Sequence, residues 1–447
     1  MITFLRIVTG LVLVGIMALL AIIFVPVQRT QPETQLAADW QPAEGQGEYV
    51  LHASDCVACH TSDDGASLAG GRAIASPMGT IWSTNITPDP ETGIGSWSLD
   101  DFRAAMIDGL TPDGRHLYPA MPYENYRLMR EEDIAALYEY LMTEVEPVAT
   151  EVEQTRLSFP FNQRWGIRAW NWLALRHAPG FSADAPTELQ TRGQYLVEGP
   201  GHCAACHSPR NIFMAQDGIT AGDQNFLAGG VIAGWSAPRL RGDGSTLDSW
   251  TVAETAAYLA TGRNAHSAAN GEMGLVVEHS LQHLTDEDNL AIASFLKSED
   301  AQEQTIASEE FKAMPDPAAR EEGQETASML TEAHPDIPLG ARLYLDSCSG
   351  CHFVTGQGAP EIFPALDGNS LVTATETGPL LSIILNGTSL PSTEKRPMAL
   401  RMQGYADRLN DAEIAELASF LRQAWGNDAP PVDAAAVAEA RERSAAH

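Results

Sequence analysis

The residues with the clearest chemistry in this chain are its six cysteines, which form three C-x-x-C pairs, each followed at once by a histidine. The strings are CVACH at 56–60, CAACH at 203–207 and CSGCH at 348–352. Two thiols three positions apart can reach the two vinyl groups on one edge of a porphyrin, and the next residue then presents its imidazole to the iron. This pattern is the attachment signature of c-type haem.

We therefore expect three haem c groups. The predicted attachment residues are Cys56, Cys59, Cys203, Cys206, Cys348 and Cys351, and the predicted iron ligands that follow them are His60, His207 and His352. Chance would give about 0.002 such strings in a chain of this composition. A redox pair needs no following histidine, and a zinc site built from two converging pairs would leave one pair over. A chain of this length does not need a disulfide framework.

Composition bounds the rest of the problem. The chain has 447 residues, 44% of them hydrophobic, which is enough for packed cores in two to four domains. Its 59 acidic residues outnumber 27 basic ones, giving a formal net charge of −32. That charge argues against a nucleic-acid partner, because phosphate binding needs a basic face. It fits either a solvated acidic surface or steering toward a basic partner.

The N-terminus predicts a membrane anchor. The stretch 7–27 carries no charge and, as a helix, is long enough to span a hydrocarbon core of about 30 Å. No small-x-small cleavage site follows it directly, which favours a retained anchor over a removed signal peptide. Arg6 on the short N-terminal side suggests that this side stays in the cytoplasm and the rest of the chain lies outside.

A module repeats around the three motifs. A glycine and an aromatic residue precede each motif: Gly47 with Tyr49, Gly193 with Tyr195, and Gly340 with Tyr344. An amphipathic helix is predicted after each, at 131–141, 285–296 and 410–421, with Tyr140, Phe295 and Phe420 at one equivalent position. Thr285 with Asp288, and Asn410 with Glu413, have the spacing of capping boxes.

The expected fold is mainly α, with an N-terminal transmembrane helix followed by three class I cytochrome c domains. The anchor is 1–28, the domains are 41–150, 186–302 and 335–427, and the tail is 428–447. The linker 303–334 is polar and acidic, so we expect it to be flexible. The linker 151–185 is crowded with aromatic residues, which predicts either packing against the chain's own domains or a partner or membrane surface.

A methionine is a common second axial ligand of such haems. Each domain offers one shortly before its final helix, where a loop can cover the open haem face: Met121, Met273 and Met402. The alternatives are Met78 in the first domain, His279 and His283 in the second, and Met398 in the third. The remaining histidines that we considered, His52, His116, His202 and His266, are expected to be surface or loop residues.

At these residues the chain resembles the three-haem cytochrome c subunits of bacterial membrane-bound dehydrogenases. Those subunits accompany quinoprotein alcohol dehydrogenases, flavin-dependent gluconate and fructose dehydrogenases, and some molybdenum hydroxylases. The resemblance covers about 44–427 and implies the same three methionine ligands. The strings that carry it are STNITPDPETGIGSW (83–97), LYPAMPYENY (117–126), FPFNQRW (159–165), SLQHLTDEDNLAIASFLK (280–297) and MQGYADRLNDAEIAELASFLRQAWGN (402–427).

The resemblance also implies an electron-transfer role. A periplasmic dehydrogenase subunit, acting on CH–OH donors, would pass electrons to this chain, which would deliver them to ubiquinone or a terminal oxidase at the bacterial inner membrane. The sequence shows no nucleotide-binding fingerprint, no Ser-His-Asp candidate and no other metal cluster. The rival hypotheses are a haem enzyme, such as a peroxidase or sulfur-compound oxidase with an open iron site, and a cytochrome c subunit of a haem–copper oxidase.

Overall fold

A computed structural model describes residues 2–25, 27–32, 35–232, 234–298 and 321–445. These residues are mostly helical, with three short antiparallel hairpins. They divide into two compact units. The first unit comprises Met1–Ala183, Val197–Ala205 and Arg210–Thr220, and the second comprises Asp184–Leu196, Cys206–Pro209 and Ala221–His447, within the described ranges.

The elements follow one another along the chain with short connections. Up to the end of the aromatic stretch they are α1 (Ile2–Phe24), α2 (Gln46–Ala53), α3 (Cys56–His60), β1 (Ala73–Ser76), β2 (Gly79–Trp82), α4 (Leu99–Asp108), α5 (Tyr123–Tyr126), α6 (Glu131–Thr143) and α7 (Trp165–Ala174). Around the second motif they are α8 (Glu188–Glu198), α9 (Ala204–His207), β3 (Gly230–Ile232), β4 (Trp235–Ala237), α10 (Val252–Thr261), α11 (Gly271–His279), a 3-10 turn (Leu281–His283) and α12 (Asp286–Lys297). Around the third they are α13 (Glu321–Glu332), α14 (Leu339–Ser347), α15 (Ser349–His352), α16 (Ser370–Thr373), α17 (Gly378–Asn386), β5 (Gly387–Ser389), β6 (Arg401–Gln403), α18 (Asp411–Gln423) and α19 (Ala434–Ala445).

The N-terminal helix α1 has the length and composition of a membrane span. Its window from Arg6 to Phe24 is apolar and wholly exposed, and it is the one such helix among the described residues. A signal sequence at the same place would look alike in these respects. The helix has no hydrophobic partner surface along its length, as expected for a segment whose solvent is lipid.

The repeated glycines lie where two helices cross. A Cβ atom added at Gly47 would lie 2.3 Å from the carbonyl oxygen of Ala136, and one at Gly340 would lie 2.3 Å from that of Glu416. The same holds at Gly193, whose Cβ would lie 2.0 Å from the Ala291 oxygen. The next side chain met in the three crossings is that of Tyr140, Phe420 and Phe295, respectively. The equivalence of these aromatic residues is therefore explained by contact with the glycine of the preceding helix.

The predicted final helices are confirmed as α6, α12 and α18. The hydroxyl of Thr285 accepts the N–H of Asp288, and Asn410 with Glu413 forms a reciprocal capping box. These caps satisfy N–H groups that a helix cannot pair internally.

The third module is longer at both ends than its predicted bounds. Residues 303–320 of the predicted flexible linker lie outside the described residues, but the prediction of flexibility is wrong for 321–332, which is helix α13. Its Leu330 is buried in the third hydrophobic core. In the predicted tail, α19 places Val437 in the same core. Both helices carry a short apolar stripe in an otherwise polar sequence, which composition alone does not reveal.

The aromatic stretch satisfies both of its expected roles. Helix α7 buries Ile167, Asn171 and Ala174 within the first unit. On its other side Trp172 is 65% exposed, and Phe159 ahead of the helix is exposed as well. Packing of one face thus leaves a second apolar face unburied within this unit.

The glycine crossings lead to a stability test. Gly193→Ala should destabilise the protein by about 1–3 kcal/mol, because its Cβ would push α8 away from α12. Gly166→Ala is a matched control, since no atom lies within 4 Å of its Cβ position in helix α7. That control should be neutral or stabilising by up to about 1 kcal/mol. Thermal unfolding followed by circular dichroism compares them, and equal midpoints would contradict the tight crossing.

Candidate haem sites

Each C-x-x-C-H motif lies on a short helical turn: α3, α9 and α15. A turn of helix places residues three apart on one face, which brings the two thiols of a motif to the same side. All six cysteines are thiols and not disulfides. The motif helices follow α2, α8 and α14, the helices that carry the repeated glycines.

The histidine of each motif is oriented by the same hydrogen bond. The Nδ1 atom lies close to a backbone carbonyl oxygen: His60 to Thr84 at 2.6 Å, His207 to Pro238 at 2.8 Å, and His352 to Pro364 at 2.9 Å. An Nδ1–H that donates to a carbonyl leaves the Nε2 lone pair available for a metal. Burial lowers the pKa of all three imidazoles, which favours the neutral form that ligates iron.

A glycine accompanies each of these histidines. The histidine carbonyl accepts a backbone N–H from Gly70 at 2.7 Å, from Gly229 at 2.7 Å and from Gly358 at 3.2 Å, respectively. All three glycines have positive φ, and a Cβ at Gly70 would lie 2.5 Å from the backbone of Thr84. Sequence reasoning missed this device, because the glycines stand 10, 22 and 6 residues after their histidines.

The thiols do not have the properties of catalytic cysteines. Burial, followed by the neighbouring Asp55, raises the pKa of the Cys56 thiol. Burial, followed by Cys351, raises the pKa of Cys348 to about 12. Thiol–disulfide catalysis needs the opposite shift. The part of the chain that the structure describes also holds no cluster of three or more His, Cys, Asp or Glu residues arranged for a metal ion, as a zinc site would need.

The candidate methionine ligands lie in three different settings. Met121 precedes α5 and packs, with Cys56, against the core of the first module. Met273 lies in α11 and Met402 in β6, both half-buried. The rival Met398 is 70% exposed, whereas Met78 lies half-buried between β1 and β2. Ligation by Met121, Met273 and Met402 stays a prediction.

The four other histidines differ in their surroundings. His116 is buried beside Asn171, 3.4 Å from its amide nitrogen. His266 lies 3.2 Å from Glu254 and stacks on Trp250. His52 lies in α2, and His202 is in the loop before the second motif, where burial lowers its pKa to about 4.

Comparisons with known proteins agree with this geometry. The family model described as Cytochrome c matches residues 45–144 and 337–425. The chain is 39% identical to the cytochrome c subunit of the alcohol dehydrogenase (quinone) of Gluconobacter oxydans, over 86% of this chain and 79% of that one. It is 40% identical to the gluconate 2-dehydrogenase cytochrome c subunit of Pantoea cypripedii, over 86% of each chain. It is 36% identical to the fructose dehydrogenase cytochrome subunit of Gluconobacter japonicus, over 92% of this chain and 86% of that one.

The chain belongs to the family of dehydrogenase cytochrome c subunits. Cytochrome c domains are therefore present, and haem c is the group that the motif cysteines and histidines of this subunit fit. The two matched regions contain the first and third motifs.

Helix α5 connects the surroundings of two motifs in this cytochrome subunit. All four of its side chains are buried, although its sequence YENY is polar. Tyr126 donates its hydroxyl to the carbonyl of Ser54, just before the first motif, at 2.7 Å. Asn125 donates to the carbonyl of Glu198, shortly before the second motif, at 3.2 Å. The segment after Met121 is thus fixed to residues that flank both motifs.

The third side chain of α5 is a buried carboxyl. Glu124 is 3% exposed and receives N–H groups of Gln216 at 3.3 and 3.4 Å. Burial raises its pKa to about 7, although Arg210, whose guanidinium lies 3.8 Å away, and Gln216 act in the opposite direction. The carboxyl is therefore partly protonated near neutral pH.

Glu124 generates a prediction about pH. Below its ordinary pKa of 4.5 the carboxyl is protonated in both states. Between 4.5 and about 7 the unfolded chain releases the proton while the folded protein keeps it, so stability falls as the pH rises. Glu124→Gln removes this loss and should raise the free energy of unfolding by roughly 3 kcal/mol at pH 8, with little gain near pH 4.5.

Unfolding midpoints at the two pH values measure this effect. The exposed Glu153 supplies the control, because Glu153→Gln should change stability little at either pH. An equal gain from Glu124→Gln at both pH values would show that titration of this carboxyl is not the cause.

Proposed function

We propose that this chain binds three haem c groups and serves as the electron-transfer subunit of a dehydrogenase complex. The observation that carries the proposal is the threefold recurrence of one arrangement: a motif histidine, a carbonyl that accepts from its Nδ1, and a positive-φ glycine. The second motif lies outside the two regions that the family model matches, yet His207, Pro238 and Gly229 repeat the arrangement.

Bound haem c supplies a one-electron ferric/ferrous couple. The chain's own residues tether the group through six thioethers and fix the plane of each imidazole through its carbonyl. A hydrogen bond at Nδ1 makes the imidazole a more basic ligand. A thioether on the opposite side raises the reduction potential, since sulfur is a soft ligand that favours the lower oxidation state.

Met121, Met273 and Met402 are the proposed thioether ligands. Met121 is supported by its place beside Cys56 at one hydrophobic core. Met402 is supported over Met398 because the Met398 side chain points to solvent while its carbonyl is held by Arg263. Three domains follow from three ligand sets, at about 41–150, 186–302 and 335–427, with α13 and α19 added to the last.

The printed names of the relatives support a dehydrogenase catalytic subunit as the partner, acting on a CH–OH donor such as an alcohol, gluconate or fructose. Electrons would leave toward membrane ubiquinone or a terminal oxidase. A periplasmic position of the haem domains at the inner membrane follows from the orientation of α1.

The junction after α1 supports its role as an anchor. Arg168 of α7 donates to the carbonyls of Ala21 and Ile22 in the last turn of α1. Arg29, just beyond α1, pairs with Asp100 and Asp101 of α4. The span is thereby attached to the folded unit near the exposed aromatic side of α7, as an anchored domain lying at the lipid surface requires.

The proposal is tested first by counting haems. Protein from a host with cytochrome c maturation should hold three haems per chain that remain attached after denaturation. Changing both cysteines of the second motif, Cys203→Ala with Cys206→Ala, should leave two. Pyridine haemochrome spectra against protein concentration give the ratio. A ratio of two in the unchanged protein would refute the three-haem assignment.

Ligation separates a carrier from a haem enzyme. Met121→Ala, Met273→Ala and Met402→Ala should each convert one haem from low-spin His/Met ligation and lower its reduction potential. Met398→Ala is the control and should leave all three unchanged. Ferric spectra and carbon monoxide binding report the outcome. Ready binding of carbon monoxide by the reduced, unchanged protein would favour a haem enzyme with an open iron site.

A further inference from the structure

The hairpin that carries Met402 has an unusually long loop. Residues 390–400 connect β5 to β6, whereas hairpin loops usually have about 2–5 residues. A hydrogen bond of 2.9 Å from the Leu390 N–H to the Leu400 carbonyl closes the base. Thr393 and Arg396 exchange backbone hydrogen bonds of 3.0 and 3.1 Å at the tip. The loop is thus a formed structure that extends beyond its own module.

The tip of this loop is hydrogen-bonded to the segment that follows Met273. The Ser392 N–H donates to the carboxylate of Glu278 at 2.6 Å. The Glu394 N–H donates to the side-chain oxygen of Gln282 at 3.0 Å. Glu278 lies in α11, the helix that also carries Met273. The two methionine-bearing segments are therefore joined through backbone groups, which fix position more strictly than flexible side chains do.

The backbone contact beside this joint is close. Gly262, which ends α10 with a φ of 74°, has no room for a side chain, since a Cβ there would lie 2.2 Å from Cγ of Pro391. The same Cβ would lie 3.4 Å from Val277 of α11. Pro391 thus packs directly on the glycine, and the loop has no space to shift toward α10.

Arg263 follows that glycine and is the buried cation of the joint. It is 5% exposed, and its Nη2 donates to the carbonyl of Met398 at 2.9 Å and to that of Arg396 at 3.5 Å. Its Nε is buried without a hydrogen-bond acceptor among the described residues. Arg396, the charged neighbour, is itself paired with Glu361. Neutral carbonyls therefore hold the Arg263 charge, and no carboxylate among the described residues hydrogen-bonds to it.

We propose that Arg263 and the 390–400 loop lock the Met273 and Met402 segments into one redox pair, in which the Arg263 charge raises the reduction potentials of the second and third haems. The inference rests on the proposed function, because it needs haems at these two sites. Oxidation adds a positive charge to a haem. A cation held in a low-dielectric interior opposes that addition far more than a solvated cation does.

Arg263→Met in the full-length haem-loaded protein tests the charge. Spectroelectrochemical titration should show two of the three midpoint potentials shifted to lower values and the third unchanged. Arg263→Lys keeps the charge and should retain potentials close to those of the unchanged protein. The exposed Arg401, adjacent to Met402, supplies the control: Arg401→Gln removes a solvated charge and should move the potentials little.

Limited trypsinolysis tests the lock. Cleavage after Lys395, at the tip of the loop, should become several-fold faster in both Arg263 variants, because neither side chain reproduces the guanidinium contact with the two carbonyls. It should stay unchanged in Arg401→Gln. The lysine variant keeps the proposal testable where the methionine variant does not accumulate, since faster cleavage is required of it as well.

Haem counts and ferric spectra on the same samples separate the two hypotheses. Three haems with intact His/Met spectra, but unmoved potentials in Arg263→Met or unchanged cleavage in both variants, would overturn the redox pair alone. A shift of only one potential, or of all three equally, would also overturn it. A haem count other than three in the unchanged protein would overturn the proposed function instead.

Discussion

The hydrogen bond from a motif histidine to a backbone carbonyl is the constraint around which each site is arranged. An imidazole that lacks this bond can rotate and can expose either nitrogen, whereas Thr84, Pro238 and Pro364 select Nδ1 as the donor. The carbonyl must approach closely, which requires a neighbouring chain without a side chain, as at Gly70. Irregular loops therefore carry a fixed geometry, while the helices set the position of the thiols.

The parts of the fold that follow from local patterns could be predicted. Three helices with periodic apolar faces and capping residues occur where the sequence places them, because their start signals lie within four residues. The glycine and aromatic repeats also had a visible signal. Their reason did not, since the contact of Gly193 with Phe295 joins residues about a hundred positions apart.

Features that depend on tertiary context were missed. The polar string YENY reads as a surface loop, yet α5 is buried because each of its polar groups meets a partner that is distant in sequence, such as Ser54 or Glu198. Helix α13 reads as flexible because its apolar residues are few, and Leu330 is enough to dock it in the third core. Composition measures the average of a segment, whereas burial depends on single residues and their partners.

Charge acts differently at the surface and inside this molecule. The net charge of −32 would favour the oxidised haems if it acted at full strength, but solvated carboxylates are screened within about 10 Å at ordinary ionic strength. Arg263 and Arg422 are buried and are held by backbone carbonyls, so their fields are screened much less. Buried arginines can therefore tune the potentials of nearby haems, while the acidic surface acts on the approach of a partner. The two functions use opposite charges and do not interfere, since solvent separates one from the other.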